Sequence, residues 1–409
     1  MDKAIHPAAV AQIIPRLDTG GAELATVEMT RAIVMAGGRA MVLCEGGRLE
    51  DDIRRAGGEI VRFAAGTKNP VRMIANAFRL AEMIRQRGID ILHARSRAPA
   101  WSALWAARMT GTPLVTTYHG AYGNRGPMKP FYNSVMARGQ IVIANSHYTG
   151  RLIQERHGTP QERIRVIQRG VDLARFDPDA VSPNRVAALR AAWGVDGDEK
   201  IVLHAARLTG WKGQRDVIDA AARIFSGERP PRAVFILAGD AQGRDTYVSE
   251  LEAQIAGHGL EGKVRLTGHC DDMPAAYAAA HVTLIASREP EAFGRASAEA
   301  QAMGCPVVVT RQGASPETIL TAERDGADNA TGWVVPVEAP ARLANAIAEA
   351  LLLSDRERRE LGARARANVA EKFTTARMQR ETLGVYDECL RSALVASFDS
   401  ASDLANKEN

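Results

Sequence analysis

Residues 282–309 read VTLIASREPEAFGRASAEAQAMGCPVVV, and this stretch decides the fold class. An apolar run at 282–285 is followed by a loop, a segment with helical periodicity and a second apolar run at 306–309. Gly304 and Pro306 separate the helical segment from the second run, because neither residue continues a helix well. A strand, a helix and a second strand in this order are typical of a parallel β-sheet with a helical crossover.

The same alternation extends in both directions from this stretch. Short apolar runs alternate with longer segments of helical periodicity, and the runs fall into two groups. The sequence therefore predicts an α/β protein with two facing Rossmann-like, doubly wound domains, and a ligand-binding cleft between them at the carboxyl ends of the strands. The predicted strands are 8–14, 40–44, 59–63, 89–93, 114–118, 141–144 and 164–167 in the first group, and 201–204, 234–238, 264–266, 282–285, 306–309 and 333–335 in the second.

The length of 409 residues favours two domains, and a polar stretch at 175–185 indicates where they divide. We predict an N-terminal domain at 1–178 and a C-terminal domain at 179–375. Beyond Leu343 the pattern is almost entirely helical. The last residues, 396–409, are rich in Ser, Asp and Asn and are predicted to form a frayed tail.

Bulk composition limits the class of protein. With 46% hydrophobic and 24% charged residues, the chain is globular rather than disordered. No apolar run approaches the roughly 18 residues that cross a bilayer, and the N-terminus lacks the features of a signal peptide, so we predict a cytoplasmic protein. Four scattered cysteines without a CxxC spacing argue against a disulfide framework and against a zinc site.

The net charge of +4 is unevenly distributed along the chain. No acidic residue lies between Asp90 and Glu155, so this stretch carries a positive field. Few aromatics and no nucleic-acid-binding signature disfavour nucleic acid, which leaves an anionic membrane, a phosphorylated small molecule or an ordinary solvated face. The basic residues of this stretch are Arg95, Arg97, Arg108, Arg125, Lys129, Arg138 and Arg151.

Two loops that follow strands are candidates for binding phosphate. Gly20-Gly21 precedes a helix, where paired glycines let the backbone approach a ligand and free N–H groups favour an anion. A tight turn has the same pattern. Arg207 and Lys212 follow the strand 201–204 just before another helix. Two cations at this place favour a diphosphate, and a solvated loop with two surface bases is the alternative.

Two carboxylates within 282–309 are spaced for separate contacts to one extended ligand. Glu291 lies in the loop after a strand, and Glu299 lies on the helix that follows. Eight helical steps of about 1.5 Å separate them by roughly 12 Å, which exceeds the roughly 5–5.5 Å between the carboxylates of a retaining glycosidase. The spacing therefore disfavours a hydrolytic pair, and a solvated or capping role for the helical glutamate is the alternative.

Together these residues resemble glycosyltransferase family 4, and the resemblance extends from Gly20-Gly21 to Glu317, most of the folded chain. It implies a GT-B fold, with a C-terminal helix at 376–395 that crosses back to the N-terminal domain. It also implies transfer of a sugar from a nucleotide-sugar donor to an acceptor. The segments that carry the resemblance are EAFG at 291–294, EAQAMGCPVV at 299–308, ARLTGWKG at 206–213, RGVD at 169–172 and GASPE at 313–317.

The resemblance also implies roles for single residues. Glu299 holds the ribose hydroxyls of the donor, and Glu291 lies beside the hydroxyls of its sugar. Arg207 and Lys212 stabilise the leaving diphosphate in place of a metal, so no metal and no other cofactor is expected. His119, directly after a strand, faces the donor sugar, although a lone histidine is more often structural. The implied donor-binding residues are Gly20, Gly21, Arg207, Lys212, Glu291, Phe293, Gly294 and Glu299, and the implied catalytic residues are Arg207, Lys212, Glu291 and His119.

The family retains the anomeric configuration of the donor sugar, by attack on the face from which the diphosphate departs, and needs no protein nucleophile. Three segments depart from the family pattern. Gln168-Arg169-Gly170 replaces Pro-Asn-Gly, Ala292 replaces a glycine, and Ala314 replaces the second glycine of a Gly-Gly pair. These changes leave open which donor is used, UDP-sugar or GDP-sugar, rather than the type of reaction.

The acceptor is expected to meet the N-terminal domain. A basic and aromatic loop there suits a lipid-linked or lipopolysaccharide acceptor, and hence cell-envelope glycan synthesis with peripheral contact to the cytoplasmic membrane, while a soluble saccharide is the alternative. Rival hypotheses are a nucleotide-sugar epimerase, a phosphorylase and a non-catalytic nucleotide-sugar-binding subunit. The loop consists of Arg125, Lys129, Pro130, Phe131 and Tyr132.

Overall fold

The computed structural model describes residues 7–18, 20–123, 126 and 128–408, with side chains as far as residue 404. The chain forms two compact units, each with its own parallel sheet. Unit 1 comprises the chain up to residue 168 together with the residues from 375 onward, and unit 2 comprises residues 169–374. The prediction of an α/β protein with two Rossmann-like domains is confirmed.

Two sheets organise the described residues. The strands, in chain order, are β1 (Ala9–Ile13), β2 (Arg39–Cys44), β3 (Glu59–Arg62), β4 (Ile91–Ala94), β5 (Leu114–Tyr118), β6 (Ile141–Ala144), β7 (Ile164–Val166), β8 (Lys200–Ala205), β9 (Ala233–Ala238), β10 (Val264–Gly268), β11 (Val282–Ile285), β12 (Val307–Thr310) and β13 (Gly332–Val335). The strand order is β3-β2-β1-β4-β5-β6-β7 in unit 1 and β10-β9-β8-β11-β12-β13 in unit 2. The order reverses between β1 and β4 and between β8 and β11. Doubly wound sheets bind ligands beyond the carboxyl ends of the strands at such reversals.

Helices connect successive strands, as parallel pairing requires. They are α1 (Gly21–Met35), α2 (Glu50–Arg55), α3 (Pro70–Arg87), α4 (Arg97–Thr110), α5 (Lys129–Ser134), α6 (His147–His157), α7 (Pro183–Ala192), α8 (Gln214–Phe225), α9 (Asp245–Gly257), α10 (Met273–Ala279), α11 (Arg295–Ala302), α12 (Ala322–Asp325), α13 (Pro340–Leu352), α14 (Asp355–Lys372), α15 (Thr375–Leu390) and α16 (Leu394–Glu408). Among the helices described here, none combines the length and the apolar character that a membrane crossing demands.

The strands at the centre of each sheet are buried on both faces. Every residue of β1 and every residue of β9 is buried. A strand covered on both sides reads as a continuous apolar run instead of an alternating pattern, and such runs are what the sequence shows. The two sheets therefore form the cores of their units.

The C-terminal residues are helical and pack on unit 1. The prediction of a frayed tail at 396–409 is wrong for the residues that the structure describes, because Leu394 and Phe398 of α16 are buried in the same core as the central strands. The Asp387 carboxylate accepts hydrogen bonds from the N–H groups of Leu394 at 2.7 Å and Val395 at 2.9 Å. These bonds satisfy donors that a helix start leaves unpaired, so Asp387 caps α16.

The chain passes from unit 1 to unit 2 at residues 168/169 rather than at the predicted 178/179. The N–H group of Val171 donates to the carbonyl oxygen of Phe373 at 2.8 Å, and Val171 and Phe176 are buried in the core of unit 2. The polar stretch that suggested a later boundary is the start of α7, where the Ser182 side chain accepts a hydrogen bond from the Arg185 N–H group. A helix cap and a linker use the same residue types, which explains the difference.

Candidate active site

A cavity of about 270 Å³ lies at the carboxyl ends of β8 and β11 in unit 2. These strands are neighbours where the strand order reverses, so the cavity occupies the position at which doubly wound sheets bind ligands. Its charged lining, within the described residues, consists of Lys212, Arg295, Glu291 and Glu299. Its remaining lining consists of His204, Ala205, Ala206, Leu284, Ile285, Ser287, Gly294 and Ala296.

The loop after β8 carries Lys212 into the cavity because Gly213 permits a close approach of two backbones. Gly213 has φ of +78°, and a Cβ atom there would lie 1.9 Å from the carbonyl oxygen of Ala286. Only glycine fits such a position. The N–H group of Arg288 donates to the carbonyl oxygen of Trp211 at 2.7 Å, which ties the same loop to the segment after β11.

An ion pair holds this loop from its other end. The Arg288 guanidinium donates two hydrogen bonds to the Asp216 carboxylate, at 2.7 and 2.6 Å. Asp216 lies in the first turn of α8, where the helix dipole favours an acid, and these bonds raise the pKa of Arg288. Lys212 therefore belongs to a loop that is fixed on both sides.

Lys212 and Glu291 form an ion pair inside the cavity. The Lys212 Nζ atom lies 2.6 Å from Glu291 Oε1, and each side chain is only 16% exposed. The Nζ atom also lies 4.2 Å from the centroid of the Trp211 ring. The Ser287 hydroxyl donates to Glu291 Oε1 at 2.5 Å. A lysine and a glutamate distant in sequence thus neutralise each other at the carboxyl ends of β8 and β11.

The backbone of Glu291 rests on a neighbouring loop. Gly313 has φ of +62°, and a Cβ atom there would lie 2.4 Å from the carbonyl oxygen of Glu291. The N–H group of Ala314 donates to the same oxygen at 2.9 Å. Ala314 has φ of −93°, so this position does not require glycine. The family departure at Ala314 is therefore compatible with an unstrained backbone beside the site.

Glu299 is held by side chains from two helices. Gly294 has φ of +97° and precedes α11, which begins at Arg295. The Arg295 Nε atom donates to Glu299 Oε1 at 2.7 Å, one turn along the helix. The Tyr277 hydroxyl donates to Glu299 Oε2 at 3.4 Å, and burial followed by the nearby carboxylate raises the pKa of Tyr277 well above its usual value. Tyr277 is therefore a neutral donor.

His204 lies in the floor of the cavity and carries no charge. Its Nδ1 atom lies 2.9 Å from the carbonyl oxygen of Leu284, an arrangement in which the imidazole donates. Burial lowers the pKa of His204 to about 4, and the positive charge of Lys212 acts in the same direction. The charges of the cavity are therefore those of its two basic and two acidic side chains.

Two residues predicted to bind the donor lie elsewhere in unit 2. Arg207 follows β8, but its side chain is exposed and does not line the cavity, and its carbonyl oxygen accepts from Gln214 Nε2 at 2.9 Å. Phe293 is buried, and its ring packs edge-on against Phe373 with 5.6 Å between centroids. The structure brings together Lys212, Glu291, Gly294 and Glu299.

Three of the predicted residues belong to unit 1. Gly20 and Gly21 lie where β1 leads into α1. A Cβ atom on Gly21 would meet no atom within 4 Å, whereas one on Gly20 would lie 2.5 Å from Glu23 Oε2, so the Glu23 carboxylate lies beside the helix start. His119 directly follows β5, is half-buried, and donates its N–H to the Tyr122 hydroxyl at 3.4 Å. All three lie at carboxyl ends of strands in their own sheet, close to the reversal between β1 and β4.

Sequence reasoning missed three side chains that contact the two carboxylates. Arg295 follows Gly294 and stands four residues before Glu299, a spacing that could have predicted an ion pair on one helix face. Ser287 stands four residues before Glu291 in an irregular segment, which carries no such signal. Tyr277 comes from a different helix, and its contact with Glu299 depends on tertiary packing alone.

Comparison with known proteins shows the family. The model for Glycosyltransferase Family 4 matches residues 19–175, and the model for Glycosyl transferases group 1 matches residues 186–368. The D-inositol 3-phosphate glycosyltransferase of Acidothermus cellulolyticus is 30% identical over 335 residues, which cover 78% of this chain and 71% of that protein. The GDP-mannose-dependent alpha-(1-6)-phosphatidylinositol monomannoside mannosyltransferase of Mycobacterium tuberculosis is 28% identical over 346 residues, which cover 82% of this chain and 83% of that protein.

A solved structure extends the likeness to the whole fold. The glycosyltransferase from Rickettsia africae superposes with a TM-score of 0.85 at 29% identity and covers 95% of this chain and 100% of its own. Two Rossmann-like units with these sheets define the GT-B class of glycosyltransferases. The chain belongs to glycosyltransferase family 4, and it is a glycosyltransferase.

Proposed function

We propose that the protein transfers a hexose from a nucleoside diphosphate sugar to a hydroxyl group of an acceptor, with retention of anomeric configuration and without a metal. The observation that carries this proposal is the cavity in unit 2, where two cations each pair with a carboxylate at the strand-order reversal. A nucleoside diphosphate sugar offers anionic phosphates to the cations and hydroxyl groups to the carboxylates. Such complementary charge fits this ligand class better than a neutral sugar alone.

The two ion pairs of the cavity suggest how the donor is held. Lys212 and Arg295 each pair with a carboxylate, at 2.6 and 2.7 Å. A diphosphate that binds these cations replaces the carboxylates as their ionic partner. The carboxylates can then accept hydrogen bonds from sugar hydroxyls. We assign the ribose hydroxyls to Glu299 and the hydroxyls of the transferred hexose to Glu291, and the start of α11 adds donors for a phosphate.

The proposed reaction breaks the bond between the anomeric carbon and the oxygen of the diphosphate. The diphosphate leaves with the bonding electrons, and the acceptor oxygen forms its new bond on the same face. The proton of the acceptor hydroxyl passes to the departing phosphate oxygen. Lys212, with Arg207 when its exposed side chain turns toward the cavity, stabilises the growing negative charge, which is the role of a metal in other transferases.

A mycobacterial relative and the positive charge of unit 1 support one class of acceptor. The mycobacterial relative is named for a phosphatidylinositol monomannoside substrate, which supports a lipid-linked acceptor for this chain. The stretch between Asp90 and Glu155, which has bases and no acids, belongs to unit 1 and favours an anionic acceptor. We therefore propose a role in the synthesis of lipopolysaccharide or another cell-envelope glycan. His119 and Gly20-Gly21 are our candidates in unit 1 for contacts with the substrates.

The first experiment measures release of free nucleotide by the purified full chain. UDP-hexoses and GDP-hexoses are supplied with EDTA, with and without a total lipid extract. We expect one nucleotide to be released, only when the extract is present. Glu299→Gln should reduce release at subsaturating donor by about tenfold or more, because it removes a charged acceptor of hydrogen bonds. Glu252→Gln, an exposed carboxylate on α9, is the matched control and should behave like the wild type.

Other outcomes would replace the proposal. Conversion of the donor without any acceptor indicates an epimerase, and nucleotide binding without release indicates a non-catalytic binding subunit. Loss of release in EDTA contradicts metal independence. The anomeric configuration of the product, read from its NMR coupling constants, decides between retention and inversion.

A further inference from the structure

Helix α3 of unit 1 carries apolar side chains on the face that points away from the core. Its inner face, which includes Leu80 and Ile84, is buried. Val71, Ile74 and Phe78 are 75%, 49% and 64% exposed. They are spaced three and four residues apart, so they form one stripe along the helix. Single exposed apolar residues are common, but a stripe of three large ones is typical of a surface that contacts a membrane, a ligand or another protein.

The first turn of α3, which carries Val71, also lines an open groove of about 940 Å³ through Pro70 and Met73. The start of α3 forms one wall of the groove, and α5 contributes Met128 and Phe131, which are 71% and 56% exposed. Trp101 of α4 lines the same groove, and its ring stacks on Phe131 with 5.0 Å between centroids. We call the exposed side chains of Val71, Ile74, Phe78, Met128 and Phe131 the apolar patch.

Exposed cations flank the apolar patch. Lys68 and Lys129 line the groove, and Arg72 and Arg79 are exposed on α3, each next in sequence to a residue of the stripe. The guanidinium of Arg138 lies 5.5 Å from the centroid of the Phe131 ring. Two acidic groups lie nearby: Glu82 of α3 pairs with Arg85 at 3.9 Å, and Glu45 Oε1 accepts a hydrogen bond from the N–H group of Gly66 in the groove at 2.8 Å. Residues 91–154 contain no acid. Arg125, which sequence reasoning placed in this region, lies outside the described residues.

We propose that the apolar patch docks unit 1 on an anionic lipid bilayer. The apolar side chains enter the boundary between headgroups and acyl chains, and the flanking cations meet lipid phosphates. The stripe extends over seven helical steps, or about 10 Å, so α3 lies along the membrane plane rather than across it. The alternative occupant, a second copy of this chain, fits less well. A twofold interface places the same patch on both sides and brings cations against cations.

Docking has a consequence for the groove. Pro15 after β1 and Ser96 before α4 line it, so it lies at the carboxyl end of the first sheet, beside the strand-order reversal. A groove that opens at the membrane surface admits a lipid-linked molecule whose chains stay in the bilayer. Docking itself needs neither donor nor transfer, so it can be tested apart from the proposed reaction.

The test is co-sedimentation of the full chain with phosphatidylcholine vesicles, with and without phosphatidylglycerol. We expect binding to the anionic vesicles and release by added salt. Ile74→Ser with Phe78→Ser should weaken binding at least about tenfold, because two apolar side chains no longer leave water. Lys129→Gln should weaken it about fivefold. Leu352→Ser is the matched control, since Leu352 is 83% exposed but belongs to unit 2, and it should bind like the wild type.

Three results would overturn docking. The first is a wild-type chain that ignores anionic vesicles. The second is equal binding by the patch variants and the wild type. The third is a wild-type dimer that Phe78→Ser dissociates without any vesicle binding, which would make the patch a protein interface. Thermal unfolding of each variant checks its fold, and Lys129→Gln, which changes an exposed charge alone, keeps the test valid if the double variant is unstable.

Discussion

Replacing Lys212 by glutamine removes the cation that we propose stabilises the departing diphosphate. In the structure its Nζ atom lies 2.6 Å from Glu291 Oε1 and 4.2 Å from the centroid of the Trp211 ring. Glutamine retains much of the side-chain length and can still donate a hydrogen bond, but it carries no charge. The substitution is therefore an electrostatic change more than a steric one.

The size of the effect follows from where charge develops. Negative charge grows on the diphosphate only as the glycosidic bond breaks, so the loss should lie in kcat more than in KM. Removing one preorganised donor to a developing oxyanion costs about 10² to 10³ in kcat, or about 3–4 kcal/mol. The Lys212 side chain is 16% exposed, and some solvent screening remains. We therefore expect the lower end, about a hundredfold.

The assay is nucleotide release at saturating donor and acceptor. Lys263→Gln is the matched control, because Lys263 also lies over an aromatic ring of unit 2, 5.3 Å from the centroid of Phe225, but does not line the cavity. A Lys212→Gln enzyme with kcat within about threefold of the wild type would refute the assigned role. A loss confined to KM would show that Lys212 binds the donor without favouring the transition state.

Three further predictions concern stability. Gly213→Ala should lower the free energy of unfolding, measured by urea titration, by about 2–4 kcal/mol, because its Cβ atom would lie 1.9 Å from the Ala286 carbonyl oxygen. Gly259→Ala is the control. Gly259 has φ of +63° but a Cβ atom there would meet no atom within 4 Å, so this change should cost only about 1 kcal/mol. Tyr386→Phe should cost about 1–3 kcal/mol, because it removes a buried 2.6 Å hydrogen bond to His93 Nδ1; an unchanged midpoint of thermal unfolding would contradict this. Burial lowers the pKa of His204 to about 4 from an ordinary 6.5, so the unfolded chain takes up a proton in this window that the folded protein does not. The free energy of unfolding should therefore fall by about 3 kcal/mol as pH drops through the window, and His204→Leu should flatten that fall; equal pH slopes in both proteins would count against it.

The sequence predicts the architecture well because burial leaves a direct record in it. Parallel strands buried on both faces, such as β1 and β9, read as unbroken apolar runs, and the glycines at 213 and 294 stand where the backbone must turn with positive φ. The two-domain α/β fold is confirmed by the structure, and family 4 membership is confirmed by the comparison with known proteins. The cavity residues Lys212, Glu291 and Glu299 were identified with it.

The sequence does not predict how side chains meet across the fold. Lys212 and Glu291 are 79 residues apart, and no spacing rule pairs them. Phe293 stands in a donor-site segment but turns into the core, because a large apolar ring gains more from burial than from a polar cavity. The stripe on α3 escapes notice for a related reason. Its apolar residues stand on both faces of one helix, and periodicity alone does not distinguish the face that meets the core from the face that meets solvent.

The way in which unit 2 is inserted into unit 1 has a consequence for biosynthesis. Unit 2 is one continuous piece, and its first and last segments lie side by side, where Val171 pairs with Thr374. Unit 1 is split, and its core needs Tyr386 and Phe398 from the far end of the chain. On the ribosome, where a chain emerges from its N-terminus, the inserted unit can therefore finish folding first. The N-terminal sheet must wait, with part of its apolar surface uncovered, until α15 and α16 are made.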